Sequence, residues 1–379
     1  MKAIFAKWHA AAMKGEPFWS LHSRETIIAL ELEGSFEQFA GGVEEHAVRF
    51  GRDVIAGIPP GSILLCSHGT RGVITALCES RVNAETVFAL TCDAMAEKGC
   101  LDFWRSVYGG WIYIPTDEEG AKCYNEYRED ARRRLKENKL RPGESVTEAE
   151  VEGKVQFGNW LSVMAINSLV ARLIFDKNPD REFYVEQGFP IEWMQPHLSP
   201  HGLIMKLKRQ PLAEFSDELI QKDCDSWARY IEPMIGDWLK RDTAVREIAG
   251  FVEKVHINGD FSGFEGDPRF VQNRVTQRLF SDLRRAIADL CAWRGRNAKN
   301  PVERDRMVHE ADFAYRQAFA LGPAAPIGAW HYAGVLIGEK RFDDAILVVE
   351  TTKRLDPEDV QLSGLLEQLK RMKEKAEGC

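Results

Sequence analysis

Hydrophobic and polar positions change their rhythm along this chain. In the first half, short apolar runs alternate with amphipathic stretches, and from Ser216 onward helical spacing prevails almost throughout. Ile63-Leu64-Leu65 follows the breaker Pro59-Pro60-Gly61 and is a continuous apolar run of the kind a buried strand carries. It ends in Ser67-His68-Gly69-Thr70-Arg71-Gly72, after which Val73, Ile74, Leu77 and Cys78 recur at helical spacing. Thr86–Leu90 predicts a second strand, followed by a helix through Asp93–Tyr108. Trp111–Ile114 predicts a third strand, stopped by Pro115. Its helix starts acidic at Thr116-Asp117-Glu118-Glu119 and ends basic at Arg132, Arg133, Arg134 and Lys136, as the helix dipole prefers. Strands and helices in this order predict a mostly parallel Rossmann-like sheet with helices on both faces.

Thr26–Leu32 reads as a strand ahead of this region, and Phe36–Ile55 as a helix interrupted by Gly41-Gly42. Beyond it, 141–153 reads as a polar loop, Val155-Gln156-Phe157 as a short strand and Trp160–Phe175 as a strongly apolar helix. Glu182–Gln187 predicts another strand. Gly188–Lys208 holds three prolines, Trp193, Met194, His197 and His201, and predicts an irregular aromatic loop. Within it Leu203–Leu207 alternates as an edge strand does. Helices follow, capped by Ser216, then over Asp237–Val255 with a break at Asp242-Thr243, and over Phe270–Trp293. The last has Val275, Leu279, Leu283, Ile287 and Leu290 on its apolar face, and Asn258–Pro268 before it is a Gly/Asp-rich turn region.

The C-terminal stretch repeats itself. Ala311, Tyr315, Ala318, Leu321 and Pro323 are matched 34 residues later by Ala345, Val349, Thr352, Leu355 and Pro357. Trp330, Tyr332, Gly334 and Phe342 stand between them, where a helix pair needs large and small knobs. The period resembles the tetratricopeptide repeat, in which each helix pair buries its face on the next. The expected organisation is a lead-in over 1–60, an α/β domain over 61–212, a helical region over 213–299 and tetratricopeptide-like helices over 300–379.

Composition narrows the partners. The net charge of -8 and pI near 5.7 argue against nucleic acid or an anionic membrane as the main one. No apolar run reaches the ~20 residues of a spanning helix, and Lys7 and His9 interrupt the Ala-rich N-terminus, so a cytoplasmic location is expected. The eight cysteines form no CxxC, which predicts reduced thiols and neither metal nor cofactor.

Several segments together resemble the soluble C-terminal region of a bacterial family of glycosyltransferase-type multi-spanning membrane proteins. They are Gly61-Ser62-Ile63-Leu64-Leu65, Val163-Met164-Ala165-Ile166-Asn167, Glu182-Phe183-Tyr184-Val185-Glu186 and the run Pro196–Lys206. The resemblance implies an α/β region followed by tetratricopeptide-like helices. It also implies work beside a membrane protein of a cell-envelope glycan assembly. Many such relatives carry an acidic loop after the first strand, where this chain has Ser67–Gly72 without a carboxylate.

Two chemistries remain open. At the end of the first strand, Ser67, His68, Thr70 and Arg71 form a loop where open α/β sheets hold anions, with His197 and His201 as further candidates. This would make the protein a binder of, or an enzyme on, a phosphorylated or nucleotide-linked sugar. A tight turn accounts for the same loop, and Pro196 and Pro200 disfavour a helix that would aim both histidines at one metal. The leading expectation is a non-enzymatic scaffold whose C-terminal helices take a peptide or protein, with Trp330, Tyr332, Arg341 and Phe342 at the contact.

Overall fold

A computed structural model describes residues 45–66, 87–92, 95–140, 144, 146–148, 155–157, 160–186 and 193–377. The chain divides into two compact units, the first reaching Phe183 and the second taking over at Tyr184.

In the first unit, α1 (Glu45–Gly57) precedes β1 (Ile63–Cys66), which is buried along its whole length. Its partner β2 (Phe88–Thr91) runs parallel, with Ile63 opposite Phe88 and Cys66 opposite Thr91. That is the pairing expected of two strands joined by a crossover. The predicted connecting helix from Val73 and the predicted strand Thr26–Leu32 lie outside the described residues. Helix α2 covers Lys98–Tyr108 and α3 covers Asp117–Lys136. The start of α3 is a capping box: Thr116 Oγ1 accepts from the Glu119 N–H, and the Glu119 carboxylate accepts from the Thr116 N–H.

The predicted strand Trp111–Ile114 is instead a turn at Trp111 and a bend at Ile112, both bonded back to the Tyr108 carbonyl, followed by irregular chain with no strand neighbour among the described residues. A side chain takes the neighbour's place. Asn178, just past α4 (Trp160–Lys177), accepts from the Tyr113 N–H at 2.7 Å and donates to the Tyr113 carbonyl at 3.0 Å. The amide thus supplies the donor and acceptor that a strand would. Val155–Phe157 is a strand (β4), as its sequence suggests. Its antiparallel partner β3 (Val146–Glu148) lies where a loop was expected.

The described strands form this two-stranded ribbon and a five-stranded mixed sheet in the order β2-β1-β5-β7-β6, where β5 is Phe183–Val185, β6 Leu198–His201 and β7 Ile204–Leu207. The expectation of a mostly parallel Rossmann-like sheet is therefore corrected. The cause is local. Only Gly202 and Leu203 separate β6 from β7, and Gly202 sits at φ 62°. A two-residue turn with a left-handed glycine can join only antiparallel strands. The edge strand is β6, drawn from the expected aromatic loop, and β7 is interior. Pro200 is tolerated in β6 because an edge strand need not donate on both sides.

The second unit is otherwise helical: α5 (Asp217–Ile235), α6 (Val245–Phe251), α7 (Pro268–Gln272), α8 (Arg274–Asn297), α9 (Pro301–Leu321), α10 (Pro326–Gly338), α11 (Phe342–Leu355) and α12 (Val360–Glu377). Ser216 caps α5 as its sequence predicts, accepting from the Leu219 N–H. The single helix expected over Phe270–Trp293 is broken at Asn273, whose side chain accepts from the Val275 and Thr276 N–H groups and starts α8 afresh. Every residue from Ala311 to Leu321 is buried, so the second half of α9 is a central helix. No helix among the described residues is long and apolar enough to cross a membrane.

A buried arginine ties three of these helices together. Arg284 of α8 is 2% exposed; its Nε donates to Gln317 of α9 at 2.7 Å and its Nη1 to Asp223 of α5 at 2.6 Å. The guanidinium also lies 5.1 Å from the Trp227 ring centre. Removing one partner of a buried ion pair strands the other, at a cost of about 3–5 kcal/mol. Arg284→Ala should lower the unfolding free energy in urea by that order, and Arg284→Met combined with Asp223→Leu by less than Arg284→Ala alone. A double variant at least as unstable as the single one would show that the charge pair is not what is being lost.

Candidate functional site

The loop residues Ser67, His68, Thr70 and Arg71 lie outside the described residues. His197 and His201, four apart in sequence, occupy different elements. His197 closes a 3-10 turn over Gln195–His197, with Nδ1 2.8 Å from the Lys208 carbonyl and its ring edge-on to Trp193. His201 ends β6 and packs its ring 5.0 Å from that of Tyr184. The two imidazoles are thus held in separate surroundings. No group of three or more His, Cys, Asp or Glu that could hold a metal ion occurs among the described residues.

At the C-terminus most of the 34-residue correspondence falls on helix interiors, whereas Leu355 is half-buried and Pro357 is exposed beyond its helix. Ala311, Tyr315, Ala318 and Leu321 of α9 and Ala345, Val349 and Thr352 of α11 are all buried. Between them, α10 buries Ala329, Tyr332, Ala333 and Leu336, the i, i+3, i+4, i+7 set of one helical face. The expected knobs Trp330 and Gly334 are one residue out of this register, which turns them about 100° away from the interior. Trp330 is 42% exposed, Gly334 is exposed, and a side-chain carbon built on Gly334 would meet nothing within 4 Å. Of the four residues expected at a partner contact, Tyr332 is interior, Arg341 and Phe342 are half-buried, and Trp330 faces outward.

Two carboxylates lock α10 in place. Asp312 of α9 accepts from the Tyr332 hydroxyl at 2.9 Å and from Arg341 at 3.0 Å, and pairs with Arg316 at 2.8 Å. Asp289 of α8 accepts from the Tyr315 hydroxyl, meets His331 Nδ1 at 2.7 Å and pairs with Arg285 at 2.8 Å. Burial pushes the Asp289 carboxyl up, but His331, Arg285 and Tyr315 more than offset it and hold the group below the usual carboxylate range. The rings of Tyr315 and Tyr332 stack at 5.4 Å between the two anchors. The outer face of α10, with Ile327, Trp330, His331 and Gly334, is therefore displayed on a rigid frame.

A second feature carried no sequence signal strong enough to single it out. After α6 the chain makes a π-helical turn, Val252–Ile257, a rare form that is frequent at functional sites. His256 in this turn lines a cavity of about 270 Å³, together with Phe261, Val271, Arg274, Gln277 and Leu355 among others. Its Nε2 is buried without a hydrogen-bond partner, and its ring packs edge-on to Phe251 at 5.6 Å. Burial, helped by the nearby Arg274 charge, pulls the imidazole down to about 4. A turn signal (Asn258-Gly259) and a lone histidine gave no hint of the cavity, because its walls come from residues about 100 apart in sequence.

Comparison with protein-family models, with curated proteins and with solved structures gave no match, so both features rest on their own geometry.

The buried imidazole has a consequence for acid stability. Unfolded, His256 should titrate near its ordinary value of about 6.5, whereas in the fold it stays neutral down to about 4. Between these values the unfolded chain binds a proton that the folded chain refuses, so stability falls as the pH is lowered through that window, by up to about 3 kcal/mol. Urea unfolding at pH 7 and pH 4.5 should show a larger loss for the wild type than for His256→Gln. Equal losses would place the neutral histidine elsewhere.

Proposed function

We propose that the protein is a non-enzymatic binding protein whose tetratricopeptide-like C-terminal helices dock an amphipathic helix of another protein on the outer face of α10. One observation carries this reading. The thirteen residues of α10, PIGAWHYAGVLIG, include no Asp, Glu, Lys or Arg, and their one titratable side chain on the outer face, His331, is engaged by Asp289, although one whole face lies outside the interior. Exposed helix faces are ordinarily charged, and an apolar face on a fixed frame is the usual receiver of a partner helix. Ile327 is 51% exposed and Trp330 42%, three residues apart on one face, which is the spacing at which a helical ligand presents its own anchors. The open space over Gly334 admits close approach.

A phage-displayed library of helical peptides, panned on the whole protein, tests this. Selected peptides should be amphipathic, and Trp330→Glu should weaken them by about tenfold or more while changing stability by only about 0.5 kcal/mol. Tyr332→Ala should instead cost about 3–5 kcal/mol of stability. Peptides that bind Trp330→Glu as well as the wild type would overturn the proposal. So would a wild-type dimer dispersed by that substitution, which would mean that a second copy covers this face.

A further inference from the structure

We infer that the cavity beside the π turn Val252–Ile257 binds a small organic anion, a carboxylate or phosphate carried on an apolar group. The inference is independent of the docking face on α10 and rests on three observations. The first is charge: the walls hold Arg274 and His256 and not one carboxylate. No carboxylate lies within ion-pair distance of the Arg274 guanidinium among the described residues. A guanidinium with no partner beside a half-enclosed space is set for a bidentate oxyanion.

The second is the position of that arginine. Arg274 is the first residue of α8, a helix of 24 residues with no acidic side chain in its first turn. A cation at a helix N-terminus opposes the macrodipole, so the arrangement disfavours the free protein slightly. An anion in the cavity would reverse the sign of that interaction and meet the positive ends of both the side chain and the helix. Departures from local preference of this kind are expected where a chain serves a ligand.

The third is the orphaned imidazole. The His256 ring forms part of the cavity wall, next to the Arg274 charge, while its Nε2 lies beneath the surface without a hydrogen-bond partner. That residue belongs to the π turn Val252–Ile257, so the turn itself forms part of the cavity wall. Of the remaining walls, Val255, Phe261, Val271, Ala324 and Leu355 are apolar and suit a small hydrocarbon body, and Gln272 and Gln277 add polar surface beside them. About 270 Å³ is enough for a ligand of benzoate size.

The test uses benzoate, phenyl phosphate and, as an uncharged counterpart, benzyl alcohol on the full chain. Titration calorimetry should show at least one of the two anions binding with a dissociation constant below about 1 mM, and benzyl alcohol binding at least about tenfold more weakly. Which anion binds more tightly separates a carboxylate site from a phosphate site. Arg274→Gln, a change at an exposed position, should weaken the anion by about tenfold, and Arg274→Lys by less. In labelled protein the His256 imidazole resonances should shift on adding the anion, which a merely structural histidine would not do. Neither anion binding at about 10 mM would overturn the inference. So would equal affinity for benzyl alcohol, no effect of Arg274→Gln, or His256 resonances unmoved at saturation.

Discussion

An arginine withdrawn from water is the condition on which the helical unit depends. Desolvating a guanidinium costs several kcal/mol, and only well-placed partners offset that cost. Arg284 finds them on two other helices, with Gln317 on α9 and Asp223 on α5, while the Trp227 ring faces its plane. Each bond has a fixed reach, so α5 and α9 can slide along α8 by little without stranding the charge. Apolar packing alone tolerates such sliding more readily. Asp223 bears part of the strain: burial raises its pKa, Arg284 only partly opposes this, and Oδ1 is left without a partner.

Asp312 and Asp289 extend the same logic outward. Each collects donors from several helices, and each keeps one side of α10 in register. Apart from His331, the outer face of α10 makes no contact with these anchors. A helix that already satisfies its packing through Ala329, Tyr332, Ala333 and Leu336 has no folding reason to keep its other face uncharged.

Local signals in the sequence were read correctly where the determinant is itself local. Thr116 and Ser216 start the helices they were expected to start, because an N-cap needs only a side chain and the next turn. The parallel pairing of Ile63–Cys66 with Phe88–Thr91 followed from apolar runs separated by a crossover's length. Reading failed where a distant group supplied the partner. The Trp111–Ile114 pattern is that of a strand, yet Asn178 answers its backbone from 65 residues away. In α10 Tyr332 is an inward knob as its sequence suggests, but Trp330, bulkier than Ala329, stands about 100° off the stripe that Tyr332, Ala333 and Leu336 define. The cavity at His256 has no sequence signature for a related reason, being assembled from segments that no periodicity connects.

The strand β6 shows how an open sheet margin is kept from recruiting another chain. The bond from the Lys208 N–H to the His197 carbonyl fixes the alternation of the hairpin, so Leu198 and Pro200 turn their backbone groups away from β7. On that outer margin the Leu198 N–H is already given to the Met194 carbonyl, and the Leu198 carbonyl to Arg294. Pro200 has no N–H to offer. A strand arriving from a neighbouring molecule would thus find its first hydrogen-bonding positions occupied or missing, which blunts the margin against β-mediated aggregation. Arg294 is part of this closure, and losing it would uncover a template for strand addition as well as weaken a fold contact.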